Sequence, residues 1–233
     1  NKHAQQTYFS NYGEFPDGDI TLDETKAKIP EQFDILCGGF PCQAFSIAGN
    51  QKGFQETRGT LFFDIAKIAE KHQPRVIFLE NVKNLLTHDK GNTFEVIKNT
   101  LKDLGYEVYY KVLNSMLHAN VPQNRERIFI VAFNTQQVPN HSEFQFPEEI
   151  ILTKTIHDVL EQEKVDDKYY YQPDHMYYPT LKESMTSRDT LYQWRRVYVR
   201  ENKSNVCPTL TANMGAGGHN VPLIKDDFGI RKL

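Results

Sequence analysis

Short apolar runs alternate with helical patterns between residues 33 and 133, and this alternation constrains the fold more than any other feature of the sequence. The run at 75–79 is almost continuously apolar, which is typical of a strand buried on both faces of a parallel sheet. Apolar residues recur at helical spacing over 60–72 and 93–104, and Gly105 is placed to cap the second helix. Further strands are predicted at 33–37, 107–113 and 127–133. We therefore predict an open α/β sheet with helices on both sides.

The character of the sequence changes after Phe133. Acidic side chains outnumber lysines over residues 143–167, whereas arginine is the commonest charged residue over 186–205. A glycine-rich segment follows at 209–218. We predict a first domain at 1–134 and a smaller, loop-rich domain at 135–233.

Charge and composition exclude several classes of protein. The net charge of -3 is not that of a protein that coats nucleic acid without sequence preference, although the segment 186–205 leaves a local basic face possible. No apolar run approaches 18 residues, so no membrane span is predicted. Three cysteines without CxxC spacing exclude a disulfide framework and argue against a metal site. Without a basic and apolar leader, the cytoplasm is the expected location.

Cys42 lies in the turn Gly38-Gly39-Phe40-Pro41-Cys42-Gln43, directly after the first predicted strand. Ligands of open α/β sheets bind beyond the carboxyl ends of the strands, and a cysteine on such a turn is displayed as a potential nucleophile. The alternative is that Cys42 is a small, inert core residue.

Two further segments carry candidate chemistry. Glu80 ends the apolar strand at 75–79, where desolvation raises a carboxyl pKa toward the range useful for proton transfer. Taken alone, it is better explained as an ordinary surface acid at a strand end. Arg125 and Arg127 precede the strand at 127–133. If that stretch is extended, they point the same way and can bind one anionic or carbonyl ligand, unless either forms a salt bridge with Glu126.

Taken together and in this order, the Pro-Cys-Gln turn at 41–43, the Glu-Asn-Val segment at 80–82 and the Gln-x-Arg-x-Arg segment at 123–127 resemble the cytosine-5 DNA methyltransferase family. Within that family the chain is most similar to bacterial modification methylases of restriction-modification systems. The resemblance also includes Asp19-Ile20, the stretches 51–54 and 58–63, and Thr209-Leu210-Thr211-Ala212. It implies that the first domain has the Rossmann-like sheet of an S-adenosylmethionine-dependent methyltransferase and that the second is a target-recognition domain.

The resemblance implies a catalytic role for four residues. Cys42 would attack C6 of a cytosine flipped out of duplex DNA, which makes C5 nucleophilic toward the methyl group of S-adenosylmethionine. Glu80 would bind N3 and the exocyclic amine of the base. Arg127, together with Arg125, would contact its O2.

The resemblance also implies binding residues for the cofactor and for double-stranded DNA. The cofactor residues would be Asp19, Ile20, Gly39, Pro41 and Leu61. The DNA contacts would be Gln43, Ser46, Lys52 and Arg58 in a closing loop, and Gln193, Thr209 and Asn213 in the recognition domain. A monomer without metal is expected.

The sequence departs from the family pattern at both ends, because the glycine-rich turn that opens the family's sheet and the C-terminal motifs have no counterpart in 1–233. Missing segments or a partner subunit would then complete the cofactor site. Two alternatives therefore stay open: an inactive fragment or DNA-binding module, and a methyltransferase acting on transfer RNA. The basic segment 186–205 with the Thr-Leu-Thr-Ala motif favours DNA.

Overall fold

The computed structural model describes residues 2–41, 61–195, 197–202, 205–211, 214 and 220–233. By packing, the chain divides into a first unit, made of residues 1–112 and 127–145, and a second unit, made of 113–126 and 146–233. The segment 113–126 thus packs with the C-terminal residues. Whether these units correspond to a catalytic and a target-recognition domain stays a prediction.

The described helices are α1 (Lys2–Tyr12), α2 (Asp23–Lys26), α3 (Leu61–His72), α4 (Asn92–Asp103), α5 (Ser115–His118) and α6 (Tyr178–Ser184). The described strands are β1 (Ile35–Gly39), β2 (Val76–Val82), β3 (Tyr106–Asn114), β4 (Gln123–Asn124), β5 (Glu126–Asn134), β6 (Leu191–Arg195), β7 (Tyr198–Asn202), β8 (Cys207–Pro208), β9 (Pro222–Lys225) and β10 (Ile230–Lys232). Short 3-10 helices occupy Lys83–Leu86, His88–Gly91, His141–Glu143, Ile156–Asp158 and Asp167–Tyr169. No described helix is long and apolar enough to cross a membrane.

The predicted alternation of strands and helices is confirmed. β1, β2, β3 and β5 form one sheet in the order β1-β2-β5-β3, and α3 and α4 lie where helices were expected. Gly105 follows α4 with a φ of +89°, the left-handed conformation that glycine adopts readily.

The sheet differs from the prediction in strand direction. β1 and β2 pair in parallel, but β2 and β5 pair antiparallel, so the sheet is mixed. β2 is also not buried on both faces, because Ile77 and Leu79 are buried whereas Phe78 is 39% exposed. The ring of Phe78 stacks on that of Phe129 from β5, with 5.7 Å between the centroids. The two stacked rings cover part of each other on this face of the sheet, where the prediction placed a helix.

The core of the first unit lies between the sheet and its helices. Gly38 lets α3 approach β1 closely, since a Cβ atom there would lie 3.2 Å from Cδ1 of Ile65. Burial of this apolar cluster is the main stabilising contribution. Its most buried members are Phe62, Ala69, Ile77, Leu79, Leu85, Ile97, Leu101, Tyr106, Ile128, Ile130 and Ala132.

The second unit contains an antiparallel sheet in the order β10-β9-β6-β7. On one of its faces α6 and several tyrosines pack with Trp194, whose ring lies 4.4 Å from that of Tyr177. On the other face Leu191 and Ile224 pack with Ile156. Tyr171, Tyr177 and Tyr178 pack against the core that contains Trp194.

Candidate functional site

Glu80 and Arg127 form an ion pair at one end of the first unit's sheet. Nε of Arg127 lies 2.9 Å from Oε1 of Glu80, and the two side chains are 17% and 40% exposed. The strand register produces this pair, because Val82 opposes Arg127 and Glu80 shares the face of Val82. The structure therefore brings together two of the residues predicted to be catalytic.

β1 ends beside this pair. Gly39 opposes Glu80 in the parallel register, and a Cβ atom on Gly39 would lie 3.8 Å from Oε2 of that glutamate. Phe40 follows and is buried, and its carbonyl oxygen accepts a hydrogen bond of 2.7 Å from Nδ2 of Asn81. Pro41 is exposed. The chain thus leaves β1 next to Glu80 and is fixed there by Asn81.

Asn81 is a site residue that the sequence analysis did not select. Its side chain is buried, its Nδ2 group holds Phe40, and its Oδ1 atom accepts from the backbone N–H of Val82. Its signal in the sequence is its position between Glu80 and Val82 in the Glu-Asn-Val segment. The bond to Phe40 could not be deduced without the pairing of β1 with β2.

Three of the five predicted cofactor residues lie around α2 and the start of α3. Oδ1 of Asp19 accepts from the backbone N–H and the hydroxyl of Thr21, and the backbone hydrogen bond lowers the pKa of Asp19. Ile20 beside it is half-buried, and Leu61 begins α3. Asp19 is therefore an exposed, ionised acceptor next to an apolar side chain.

Lys26 joins these two regions and was also missed by the sequence analysis. Its Nζ atom lies 3.2 Å from the carbonyl oxygen of Thr21 and 2.7 Å from Oδ1 of Asp64, which is in the first turn of α3. The Asp19 turn and the start of α3 are thus tied together by one lysine. A lysine followed 38 residues later by an aspartate gives no local signal in the sequence.

Several predicted site residues lie outside the described residues. These are the proposed nucleophile Cys42, the loop residues Gln43, Ser46, Lys52 and Arg58, and the recognition residue Asn213.

In the second unit, two motifs far apart in sequence come together. β4 and β8 pair in parallel, with Asn124 opposite Pro208, and the hydroxyl of Thr209 donates to the carbonyl oxygen of Asn124 at 2.8 Å. Nη1 of Arg125 donates to the carbonyl oxygen of Leu210 at 3.3 Å. Arg125 thus contacts the Thr-Leu-Thr-Ala motif, whereas Arg127 contacts Glu80.

Gln193 lies inside the second unit and is 3% exposed. Its Nε2 group donates to the carbonyl oxygen of Asn220, and its Oε1 atom accepts from Nη2 of Arg200 at 3.3 Å. Both ends of its amide therefore have protein partners. A direct contact between Gln193 and a base stays a prediction.

Among the described residues, no group of three or more His, Cys, Asp or Glu side chains could hold a metal ion. In the first unit, the carboxylate of Glu80 and the guanidinium of Arg127 come together beside Gly39, the last residue of β1. They can hold a polar, planar ligand by directed hydrogen bonds.

The mixed α/β sheet, the Glu80–Arg127 pair and the adjoining Pro-Cys-Gln sequence are together features of a cytosine methyltransferase. The family model described as C-5 cytosine-specific DNA methylase matches residues 1–232. The chain belongs to this family.

Relatives in sequence are bacterial type II methyltransferases. M.Bsp6I of Bacillus sp. (strain RFL6) is 52% identical over 237 residues, which cover all of this chain and 74% of that protein. M.HpaII of Haemophilus parainfluenzae is 54% identical over 170 residues, 72% of this chain and 47% of that protein. M.SsoII of Shigella sonnei is 56% identical over 168 residues, 72% of this chain and 43% of that protein. The chain thus spans less than half the length of the last two.

Solved structures show the same fold. The crystal structure of the S. pombe Dnmt2 methyltransferase matches with a TM-score of 0.52 and 20% identity, covering 79% of this chain and 55% of that one. The Entamoeba histolytica methyltransferase EhMeth matches with a TM-score of 0.50 and 21% identity, covering the same shares. The Rossmann-like methyltransferase fold predicted from the sequence is confirmed.

Proposed function

We propose that this protein transfers a methyl group from S-adenosylmethionine to C5 of a cytosine in a specific duplex DNA site. It would act as a cytoplasmic monomer and as the modification enzyme of a restriction-modification system. The observation that carries the proposal is the Glu80–Arg127 pair beside the end of β1, where the Pro-Cys-Gln sequence begins. The names of the relatives, type II methyltransferases, support it.

Glu80 holds the base in this proposal. Arg127 binds one carboxylate oxygen, and this contact fixes the direction of the other toward Gly39 and the end of β1. A carboxyl group in this position hydrogen-bonds N3 and the exocyclic amine of cytosine, which withdraws electron density from C6. General acid catalysis of this kind contributes a rate factor of about 10²–10⁴.

Cys42 supplies the nucleophile. Its thiolate would add to C6, the electron pair would move onto C5, and C5 would bond the methyl group as the bond between that methyl group and its sulfonium sulfur breaks, leaving the electron pair on sulfur. A base then removes the C5 proton, and the electron pair of that bond re-forms the ring double bond as the thiolate leaves. Because C6 is hidden inside a duplex, the cytosine must first be flipped out of the stack. The loop residues Gln43, Ser46, Lys52 and Arg58 belong to the same proposal, as contacts to the DNA around the flipped base.

S-adenosylmethionine supplies an electrophilic methyl group when bound. The described residues fit part of this cofactor, since Asp19 is an exposed carboxylate that can accept from an exocyclic amine and Ile20 offers an apolar side chain beside it. Leu61, Gly39 and Pro41 would line the remainder. We place the recognition of DNA in the second unit, through Thr209, Asn213 and the basic segment 186–205.

Trapping with 5-fluorocytosine tests the proposal. The natural full-length gene product is incubated with S-adenosylmethionine and a pool of random-sequence duplexes that contain 5-fluorocytosine. Because fluorine cannot leave C5 as a cation, the adduct between protein and DNA should persist, and peptide mapping should locate it on Cys42. The matched control is Cys42→Ser, which should form no adduct. Absence of any adduct on the wild-type protein would overturn the proposed function.

A further inference from the structure

We infer that Arg200 reads a guanine of the target site and that the buried Gln193 holds the Arg200 guanidinium in the reading orientation. The inference rests on the proposed function, because it names the residue that gives that function its sequence specificity. It concerns the second unit alone.

The first observation is the orientation of Arg200. Gln193 and Arg200 oppose each other across β6 and β7, and Oε1 of Gln193 accepts from Nη2 of Arg200 at 3.3 Å. The glutamine is itself fixed, because its Nε2 group donates to the carbonyl oxygen of Asn220 at 3.0 Å. The backbone N–H of Asn220 in turn donates to the carbonyl oxygen of Trp194. A buried side chain with both ends bonded therefore orients one exposed arginine.

The second observation is the set of partners of Arg200. Its side chain is exposed, and among the described residues it has no carboxylate partner. Arg188 of the same unit, in contrast, pairs with Asp227, and Arg231 pairs with Asp226. Because the amide of Gln193 is neutral, it does not offset the positive charge of Arg200. The N–H groups of the guanidinium that do not bind Gln193 remain available to a ligand.

The third observation is the face of the sheet on which Arg200 lies. Leu191 and Gln193 are two residues apart on β6 and lie on the same face, and Arg200 shares that face because it opposes Gln193. Cys207 of β8 packs beside Leu191. β8 leads directly into Thr209, so the Thr-Leu-Thr-Ala motif begins on the face that carries Arg200. The helix α6 covers the opposite face, where it packs on Tyr192 and Trp194.

Guanine is the base that this geometry fits. Its O6 and N7 atoms are two adjacent acceptors in the major groove, and they match the two parallel donors of a guanidinium. A phosphate contact needs positive charge near the backbone but no fixed plane. An arginine whose Nη2 atom is bound by a buried glutamine is restrained in orientation, and it therefore suits a directed, bidentate contact with a base edge.

Sequence preference after methylation tests the inference. The full-length gene product acts on a duplex pool randomised on both sides of a fixed cytosine, and bisulfite sequencing reads which molecules are methylated. Arg200→Ala should lower the preference for one guanine by about 10- to 100-fold and leave the other positions unchanged. Arg200→Lys should weaken the same position, because an ammonium keeps the charge but has no fork. Circular dichroism verifies that each variant is folded.

Gln193→Met tests the positioning role, since it keeps the volume of the side chain and removes both hydrogen bonds. It should weaken preference for the same guanine although Arg200 is still present. Lys182→Ala is the control, because Lys182 is an exposed cation on α6, the helix that covers the opposite face. It should leave every position unchanged.

Three results would overturn the inference. Arg200→Ala could keep the full preference at every position, or it could slow methylation of all sequences equally while Arg200→Lys restores the rate, as for a phosphate contact. An unchanged preference in Gln193→Met would exclude the positioning role. If the wild-type protein methylates no duplex at all, the proposed function itself fails, and the inference fails with it.

Discussion

Glu80 is held from two directions, and each contact constrains what its carboxyl group can do. Arg127 binds one carboxylate oxygen at 2.9 Å, and Gly39 lies beside the other. An amide in this position would keep the size of the side chain but lose the charge and the acid. We expect Glu80→Gln to slow methylation by about 10²–10⁴-fold, because the proton needed at N3 is no longer supplied.

Single-turnover methylation of duplex DNA measures this effect, and thermal unfolding monitors the fold. Since Glu80 is 40% exposed, the stability of the variant should change by less than about 1 kcal/mol. Glu95→Gln is the matched control, because Glu95 lies on α4 and pairs with Lys98. A rate near that of the wild type in Glu80→Gln would contradict the proposed mechanism.

Asn81 contributes through the backbone of a neighbouring strand. Its buried amide binds the carbonyl oxygen of Phe40 at 2.7 Å, two residues before Cys42. Asn81→Ala would leave that oxygen without its donor, and we expect a loss of about 1–3 kcal/mol in the free energy of unfolding. Urea titration followed by circular dichroism measures the loss. The control is Asn84→Ala, three residues after Asn81 at an exposed position, which should cost less than about 0.5 kcal/mol.

At the scale of elements, Tyr106 ties β3 to the residue that precedes β2. The Tyr106 hydroxyl donates to the carbonyl oxygen of Pro74 at 2.8 Å, and the side chain is buried. Burial raises the pKa of Tyr106 to about 12, above the value near 10 of an unfolded chain. The stability that the neutral phenol contributes is therefore complete below pH 10 and is lost as the pH rises through 12.

We expect the wild-type protein to lose on the order of 2 kcal/mol more than Tyr106→Phe between pH 10 and pH 12. At neutral pH the variant should already be about 1 kcal/mol less stable, because Pro74 has lost its donor. Urea titration of both proteins at each pH, followed by far-ultraviolet circular dichroism, gives the difference. Parallel pH curves for the two proteins would show that Tyr106 does not carry this pH dependence.

Periodicity predicted which elements form, but not how they pair. The apolar runs at 75–79 and 127–133 indicated two strands, yet an apolar run has no direction, so the antiparallel pairing of β2 with β5 could not be read from it. For the site too, the sequence indicated residues but not their contacts. Glu80 and Arg127 were found because each lies in a recognisable motif, whereas their ion pair depends on the pairing of β2 with β5.

Other contacts depend on register between distant segments. Gln193 was predicted to contact DNA. Its register opposite Arg200 and its burial could not be read from the sequence, and its contact with DNA stays a prediction. Arg125 was predicted to act together with Arg127, and that role stays a prediction. Its contact with Leu210, which the pairing of β4 with β8 brings near, could not be read from the sequence. Lys26 and Asp64 have no local pattern at all. These contacts arise only once the strands and helices have packed.

At the scale of the whole molecule, the second unit contains both the basic segment 186–205 and most of the acidic stretch 143–167. One acidic side chain of this stretch, Glu161, is paired with an arginine of the same unit. Arg231 is almost fully buried, and it binds Asp226 at 2.9 Å and Glu161 at 3.5 Å. The negative net charge of the chain therefore does not describe the surface around Arg200.

The two units each have an apolar core, so substitutions in one should be detectable apart from the other. Trp194 is the single tryptophan of the chain and lies in the core of the second unit. Its fluorescence therefore follows that unit, whereas far-ultraviolet circular dichroism follows both. We expect Asp226→Asn to destabilise the second unit by on the order of 2–4 kcal/mol, because the buried guanidinium of Arg231 loses the nearer of its two charged partners.

Urea titration of Asp226→Asn should thus move the midpoint of the Trp194 fluorescence transition to lower urea. Tyr106→Phe, whose substitution lies in the first unit, should move a transition seen by circular dichroism and leave the fluorescence midpoint in place. Glu163→Gln, at an exposed position of the second unit, is the control and should move neither. If both substitutions shift both signals equally, the units unfold as one cooperative body and the separation of their stabilities is wrong. If the fluorescence midpoint moves only for Asp226→Asn, the buried Arg231 contacts stabilise the unit that carries Arg200, independently of the unit that carries Glu80.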